Sequence, residues 1–196
     1  MAKNLEDRVK ELKKEVAQLK GKAALKIQKA LGIGDTFQLM DVEWKILDIT
    51  EQGYVCLAET IDNKSFGSNN DWKESNIRKY LNSEFYEKLT EKIGADNIIP
   101  FKRDLLSMDG QTEYGTCEDK VSIPSFDEYR KYRCLIQNAG YWWWLITPDS
   151  TLCNDDSKWI RVVSPSGCIN CSDYDGDGGV RPLCIFSSSI FESEEK

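Results

Sequence analysis

The hydrophobic period of the chain first changes at Gly34, and that change separates two segments that cannot share one kind of secondary structure. Before it, Leu5, Val9, Leu12, Val16 and Leu19 step by four, three, four and three. These are the alternating a and d positions of a heptad, with Val at a and Leu at d. Ala23, Ala30 and Ile33 continue the register weakly, and Lys26 interrupts it. The stripe is narrower than the apolar face of a helix lying on its own domain. The reading is therefore an N-terminal coiled-coil helix that makes a homo-oligomer through residues 5–31, with dimer and trimer both open.

From Thr36 to Ala58 the period is two. Thr36–Met40, Val42–Ile49 and Tyr54–Ala58 read as strands, the last two joined by a turn at Gln52-Gly53. Ile77, Tyr80 and Leu81 have helical spacing, a second helical stretch covers Phe85 to Ile93, and Ser125 is placed to cap a short helix over Phe126–Tyr132. Residues 94–116 look irregular. Strand patterns return at Trp142–Ile146, Trp159–Val163 and Val180–Phe186. Strands, then helices, then strands without a regular βαβ alternation predict an α+β domain with a mixed or antiparallel sheet and two main helices. The predicted organisation is a helix over 1–32, a domain over 33–186 and an acidic tail over 187–196.

The net charge of −7 argues against a nucleic-acid partner, because affinity for phosphates comes from lysine and arginine. No apolar run is long enough for membrane insertion, and the N-terminus lacks the apolar core of a signal peptide. The expected location is cytoplasmic as synthesised, with virion association or another export route open. The chain has no histidine, which removes the commonest general base and metal ligand. No nucleophile is assembled with a base and an orienting group, so no catalytic residue and no cofactor are assigned.

Three features remain as candidate sites. Asp173, Asp175 and Asp177 alternate as at the start of an EF-hand loop, but position twelve is Cys184 where a bidentate glutamate is needed. Cys168 and Cys171 have C-x-x-C spacing without the second pair of a zinc site or a cation to activate a thiolate. In Tyr141-Trp142-Trp143-Trp144, strand alternation places Trp142 and Trp144 in the core and leaves Trp143 open.

Several stretches together resemble a known family: Asp71 to Asn82 followed by Phe85-Tyr86; Asp119 to Ser125; Trp142 to Pro148; Val162 to Gly167; and the closing Gly179-Val180-Arg181-Pro182. Their order is similar to bacterial and phage domains with a C-type lectin fold, related to the formylglycine-generating enzyme. Members with such a variable C-terminal end resemble the target proteins of diversity-generating retroelements. The resemblance spans roughly Gly34 to Phe186 and departs at Leu145-Ile146-Thr147-Pro148, where L-R-S-P is the family pattern. It implies a variable region at about 138–181, in which a reverse transcriptase misreads template adenines and turns AAY codons into NNY. Such codons never give Lys, Glu, Gln, Met or Trp, and none of these occurs between Ser164 and Gly179. On this account the alternating aspartates are draws from a restricted alphabet, although Gly, Ser, Asn and Asp are also what loops ordinarily contain.

The resemblance thus implies a non-catalytic, receptor- or adhesin-like binder of a protein or cell-surface ligand. Its variable face would be Asp149, Ser150, Thr151, Asn154, Asp155, Asp156, Ser166, Asn170, Ser172, Asp173, Tyr174, Asp175 and Asp177. The tryptophan block and Arg181-Pro182 would form a stiff floor. Two alternatives stand beside it. One is an oxidase of the formylglycine-generating type, using paired or copper-bound cysteines, for which Cys168 and Cys171, or Cys184, are the candidates. The other is a calcium-dependent carbohydrate binder, for which the E-P-N, Q-P-D and W-N-D strings of animal lectins are missing.

Overall fold

A computed structural model describes residues 31–191, together with Arg8 and Lys13. The predicted coiled coil lies outside the described residues. The fold is α+β and consists mostly of sheet. One five-stranded sheet has the order β1–β2–β3–β12–β5, from β1 (Thr36–Leu39), β2 (Val42–Ile49), β3 (Tyr54–Ala58), β5 (Ile98–Ile99) and β12 (Leu183–Phe186). A second has the order β10–β9–β8–β11–β4, from β4 (Asp62–Ser65), β8 (Trp143–Pro148), β9 (Trp159–Val163), β10 (Ile169–Asp173) and β11 (Asp177–Val180). It is mixed, because β11 runs parallel to β8. A separate hairpin pairs β6 (Phe101–Asp104) with β7 (Thr116–Asp119).

The two expected helices are one. α1 (Asn76–Tyr80) passes through a π turn (Leu81–Phe85) directly into α2 (Tyr86–Ile93). The wider turn keeps Ile77, Leu81, Phe85, Leu89 and Ile93 all buried on one side. Ser75 caps its start by accepting from the Arg78 amide at 3.0 Å. α3 (Phe126–Lys131) begins with a capping box, in which the Ser125 hydroxyl accepts from the Glu128 amide and Glu128 Oε2 accepts from the Ser125 amide.

The helices lie against opposite faces of the sheets, which explains why so many strand residues are buried on both sides. Trp44, Ile46, Cys184, Phe186, Trp144 and Ile146 pack with the long helix in one cluster. Leu57, Leu183, Trp143 and Leu145 pack with Tyr129 and Tyr132 of the α3 region in the other. Full burial of side chains this large stabilises by about 1.5–3 kcal/mol each. Trp143 and Trp144 therefore both enter the core, from opposite faces of β8, at 1% and 0% exposure. Trp142 precedes the strand and is 43% exposed, so its expected core position is corrected.

The packed chain does not stop at Phe186. A short 3-10 turn (Ser188–Ile190) brings Phe191 into the core, 5.0 Å from the Phe37 ring and 4.4 Å from Tyr54. The two sheets are joined where β3 leads toward β4 and β11 toward β12. There the Ala58 amide donates to the Pro182 carbonyl at 2.8 Å and the Ile61 amide to the Val180 carbonyl at 3.0 Å. Arg181, 3% exposed, clasps this joint: Nε donates to the Ala58 carbonyl at 3.1 Å, and the guanidinium lies 5.0 Å from the centre of the Trp143 ring. Among the described residues no helix is long and apolar enough to cross a membrane.

Candidate binding site

The loop that leaves β8 is held from beneath by a residue to which sequence reasoning gave no role. Asn70 is fully buried, and its Nδ2 donates to the carbonyls of Ser150 at 3.1 Å and Trp159 at 3.0 Å. Its Oδ1 accepts from Tyr114 Oη at 2.7 Å. Burial raises the Tyr114 hydroxyl to about 12, so it stays a neutral donor. A buried carboxamide with both ends occupied fixes the loop to the scaffold.

A second segment closes over the same loop. Between β6 and β7, the Met108 amide donates to the Pro148 carbonyl at 3.0 Å and the Asp109 amide to the Asp149 carbonyl at 3.3 Å. Asp109 Oδ2 accepts from Ser150 Oγ at 2.7 Å and from Asn154 Nδ2 at 3.0 Å, while Oδ1 accepts from Ser107 Oγ. The Ser107 hydrogen bond, followed by that of Ser150, holds this carboxyl below the usual carboxylate range. Glu113 Oε2 accepts the Cys153 amide at 2.8 Å, and that bond lowers its carboxyl in turn.

Together the segments enclose a shallow, open depression of about 580 Å³, lined by Met108, Asp109, Asp149, Ser150, Asn154 and Asp156, with Arg161 from β9. Arg161 forms an ion pair with Asp149. Asn154 and Asp155 are exposed beside it, and Asp155 ends a 3-10 turn (Leu152–Asn154) in the left-handed conformation, φ 54°.

The structure divides the residues expected to form one face. Ser150 and Thr151, at 7% and 0% exposure, are buried, because the Asn70 and Asp109 contacts draw this end of the loop inward. They are corrected from displayed to supporting positions. Ser166 lies in the turn between β9 and β10, where its carbonyl accepts from Asn138 Nδ2 at 2.9 Å. That turn is at the far end of β9 from Trp159, four residue steps or roughly 13 Å away. On β10, Asn170 pairs with Val162 and Ser172 with Ile160, whereas Cys171 pairs with Arg161 and Asp173 with Trp159. Asn170 and Ser172 therefore point to the opposite face from Asp173. Tyr174 is an anchor: its ring packs on the core, and its carbonyl accepts from the Phe66 and Gly67 amides. Asp175 and Asp177 are exposed.

Lys158 Nζ pairs with Asp173 Oδ2 at 2.6 Å, and no three acidic or cysteine side chains converge to hold an ion among the described residues. Cys184 is fully buried opposite Cys56, and burial pushes both thiols well above their ordinary value. It belongs to the first sheet, whereas Cys171 is on an edge strand of the second. A buried, protonated thiol such as Cys184 is a poor nucleophile.

A family model matches residues 51–188. The chain belongs to that family, the Domain of unknown function (DUF6273). No curated protein and no solved structure matches the chain. The DUF6273 span takes in Asn70, the Asp109 segment, the Asp149–Asp156 loop and the Arg181 joint, but not β1 or β2. Fully buried Trp44 of β2 thus completes a DUF6273 core from outside the matched span.

Proposed function

We propose that this DUF6273 protein is a non-catalytic, receptor- or adhesin-like binder with a C-type lectin fold, whose C-terminal loops are diversified by adenine-directed mutagenesis. The observation that carries the reading is the mounting of Asn154, Asp155 and Asp156. These small polar residues stand at the surface between β8 and β9, whose inward side chains are fully or almost fully buried. Changeable side chains on a rigid support are what a repertoire of binding faces requires, since a preorganised face loses little entropy on binding. The mixed sheet, the closing Arg181-Pro182 and the packing of Arg181 on Trp143 support the fold assignment.

The packing narrows the positions open to diversity. A Cβ at Gly178 would lie 2.7 Å from Trp144 Nε1, and one at Gly179 would lie 2.8 Å from the Tyr141 ring. Both glycines belong to the scaffold, although their codons fit the restricted alphabet. The open positions are Asp149, Asn154, Asp155 and Asp156 at the depression, with Asn170, Ser172, Asp173, Asp175 and Asp177 on and after the β10 edge. Oligomerisation through residues 5–31 would multiply weak single-site binding by roughly 10² to 10⁴.

Sequencing the DNA downstream of the gene tests this. The expected finding is a near-identical copy of the segment encoding Trp142 to Arg181, beside a reverse transcriptase. The copies should differ only where the second carries adenine, and its codons for Gly178 and Gly179 should carry none at their first two positions. Absence of the copy, or differences scattered without regard to adenine, would sink the reading.

A further inference from the structure

We infer that the depression between the Met108–Asp109 segment and the Asp149–Asp156 loop receives a lysine or arginine side chain of a protein partner, flanked by apolar residues of that partner. The inference deepens the binding reading above and rests on it.

Charge sets the first requirement. Asp149 is neutralised by Arg161, but Asp109 and Asp156 have no ion-pair partner among the described residues. The hydrogen bonds from Ser107, Ser150 and Asn154 keep Asp109 ionised and aimed by occupying part of its acceptor capacity. Two negative charges thus face one concavity, and a cationic group complements them.

Apolar exposure sets the second. Met108 lines the depression at 37% exposure, and the segments that wall it also expose Leu106 at 44%, Leu152 at 59% and Trp159 at 38%. A single exposed apolar side chain is ordinary, whereas one in the concavity and three more on the segments that build it mark an interaction surface. A free inorganic or small organic cation would satisfy the carboxylates and leave these side chains in water. A purely apolar partner would cover them and strip water from the carboxylates without replacing it. A lysine or arginine within an apolar segment meets both demands, because its methylene stem is apolar and its head is charged. Arginine fits best, since its planar fork can engage a carboxylate through two bonds.

The test uses the full chain, isotopically labelled, and the synthetic peptide acetyl-Leu-Arg-Leu-amide. The same peptide with citrulline keeps the shape and removes the charge. The expected result is saturable NMR shifts at the Asp109, Asn154 and Asp156 amides. Affinity should fall about tenfold or more with citrulline, and likewise in the D109N/D156N variant. If D109N disturbs the loop, D156N alone must still weaken binding without changing the unfolding midpoint. Equal binding of the two peptides, shifts elsewhere, or no binding overturns the inference. A display library randomised at Asn154, Asp155 and Asp156 separates its failure from that of the wider reading. Binders to an unrelated target from a library whose parent ignores the arginine peptide remove only the basic partner. A library that yields no binders removes the binding face as well.

Discussion

A methyl group is enough to separate two kinds of glycine in the Ser172–Gly179 run. At Gly178 it would meet the Trp144 indole, whose Nε1 donates to the Lys64 carbonyl at 2.8 Å. At Gly176 its nearest neighbour would be Ser172 Oγ, a flexible hydroxyl at 3.2 Å. We therefore expect Gly178→Ala to destabilise by about 1–3 kcal/mol, and Gly176→Ala by less, in urea unfolding followed by tryptophan fluorescence. Equal costs would show that the indole yields. In the sequence the two glycines are indistinguishable, because composition records neither the register of β11 nor the ring behind it. The same blindness affected Ser150 and Thr151. Their polarity suggests display, but Ser150 is held by Asn70 and Asp109, 80 and 41 residues away in the chain, and Thr151 is buried beside it. Asp109 is hidden for the reverse reason: it sits in a stretch without periodicity, and only its contacts give it a role.

Elements were legible where one face is apolar and obscure where it is not. β1, β2, β3, β9 and the capped helix α3 follow from period and capping, and the structure carries them within a residue or so of the expected bounds. β4 (Asp62–Ser65) contains no apolar residue and β10 (Ile169–Asp173) has its one large apolar residue at its first position, so neither shows an alternating pattern; their pairing with neighbouring strands makes them strands. In the sequence the long helix looks like two, because Asn82 and Ser83, weak helix formers, fall between its apolar groups. The π turn carries the helix across them, and Asn82 is employed there, its Oδ1 accepting from the Lys120 and Val121 amides. α3 carries a pH-dependent contact. Burial alone would raise the Glu128 carboxyl, but the nearby Arg103 charge and two hydrogen bonds of 2.6 Å outweigh it and hold the carboxyl below its ordinary 4.5. An acid whose pKa is lowered by folding stabilises the fold above its unfolded value, and that contribution fades as the pH falls through the folded value. Glu128→Gln should therefore cost about 3 kcal/mol at pH 7, and the gap to the parent should shrink well below pH 4.5 in acid–urea titrations. A gap that is the same at pH 3 and pH 7 would contradict this account of the pair.

At the scale of the whole molecule, the α+β class and the strand–helix–strand order follow from sequence, but the division into two sheets does not. The division depends on β3 and β12 pairing in one sheet while β4 and β11, their immediate neighbours in the chain, pair in the other. Arg181 stands where both connections pass. Lysine there keeps the charge and loses the fork that reaches both the Ala58 carbonyl and, at 3.2 Å, Glu59. We expect Arg181→Lys to cost about 2 kcal/mol in the urea midpoint, and an unchanged midpoint would remove the clasp from the stability of the fold. The joint also has a mechanical consequence. Residues 34 and 191 both meet the first sheet, whereas the depression is built around strands of the second. A protein tethered by either end and pulled by a partner held at the depression would transmit tension from one sheet to the other. Two adjacent chain crossings at this joint, cross-linked by the Ala58–Pro182 and Ile61–Val180 hydrogen bonds, would share that tension.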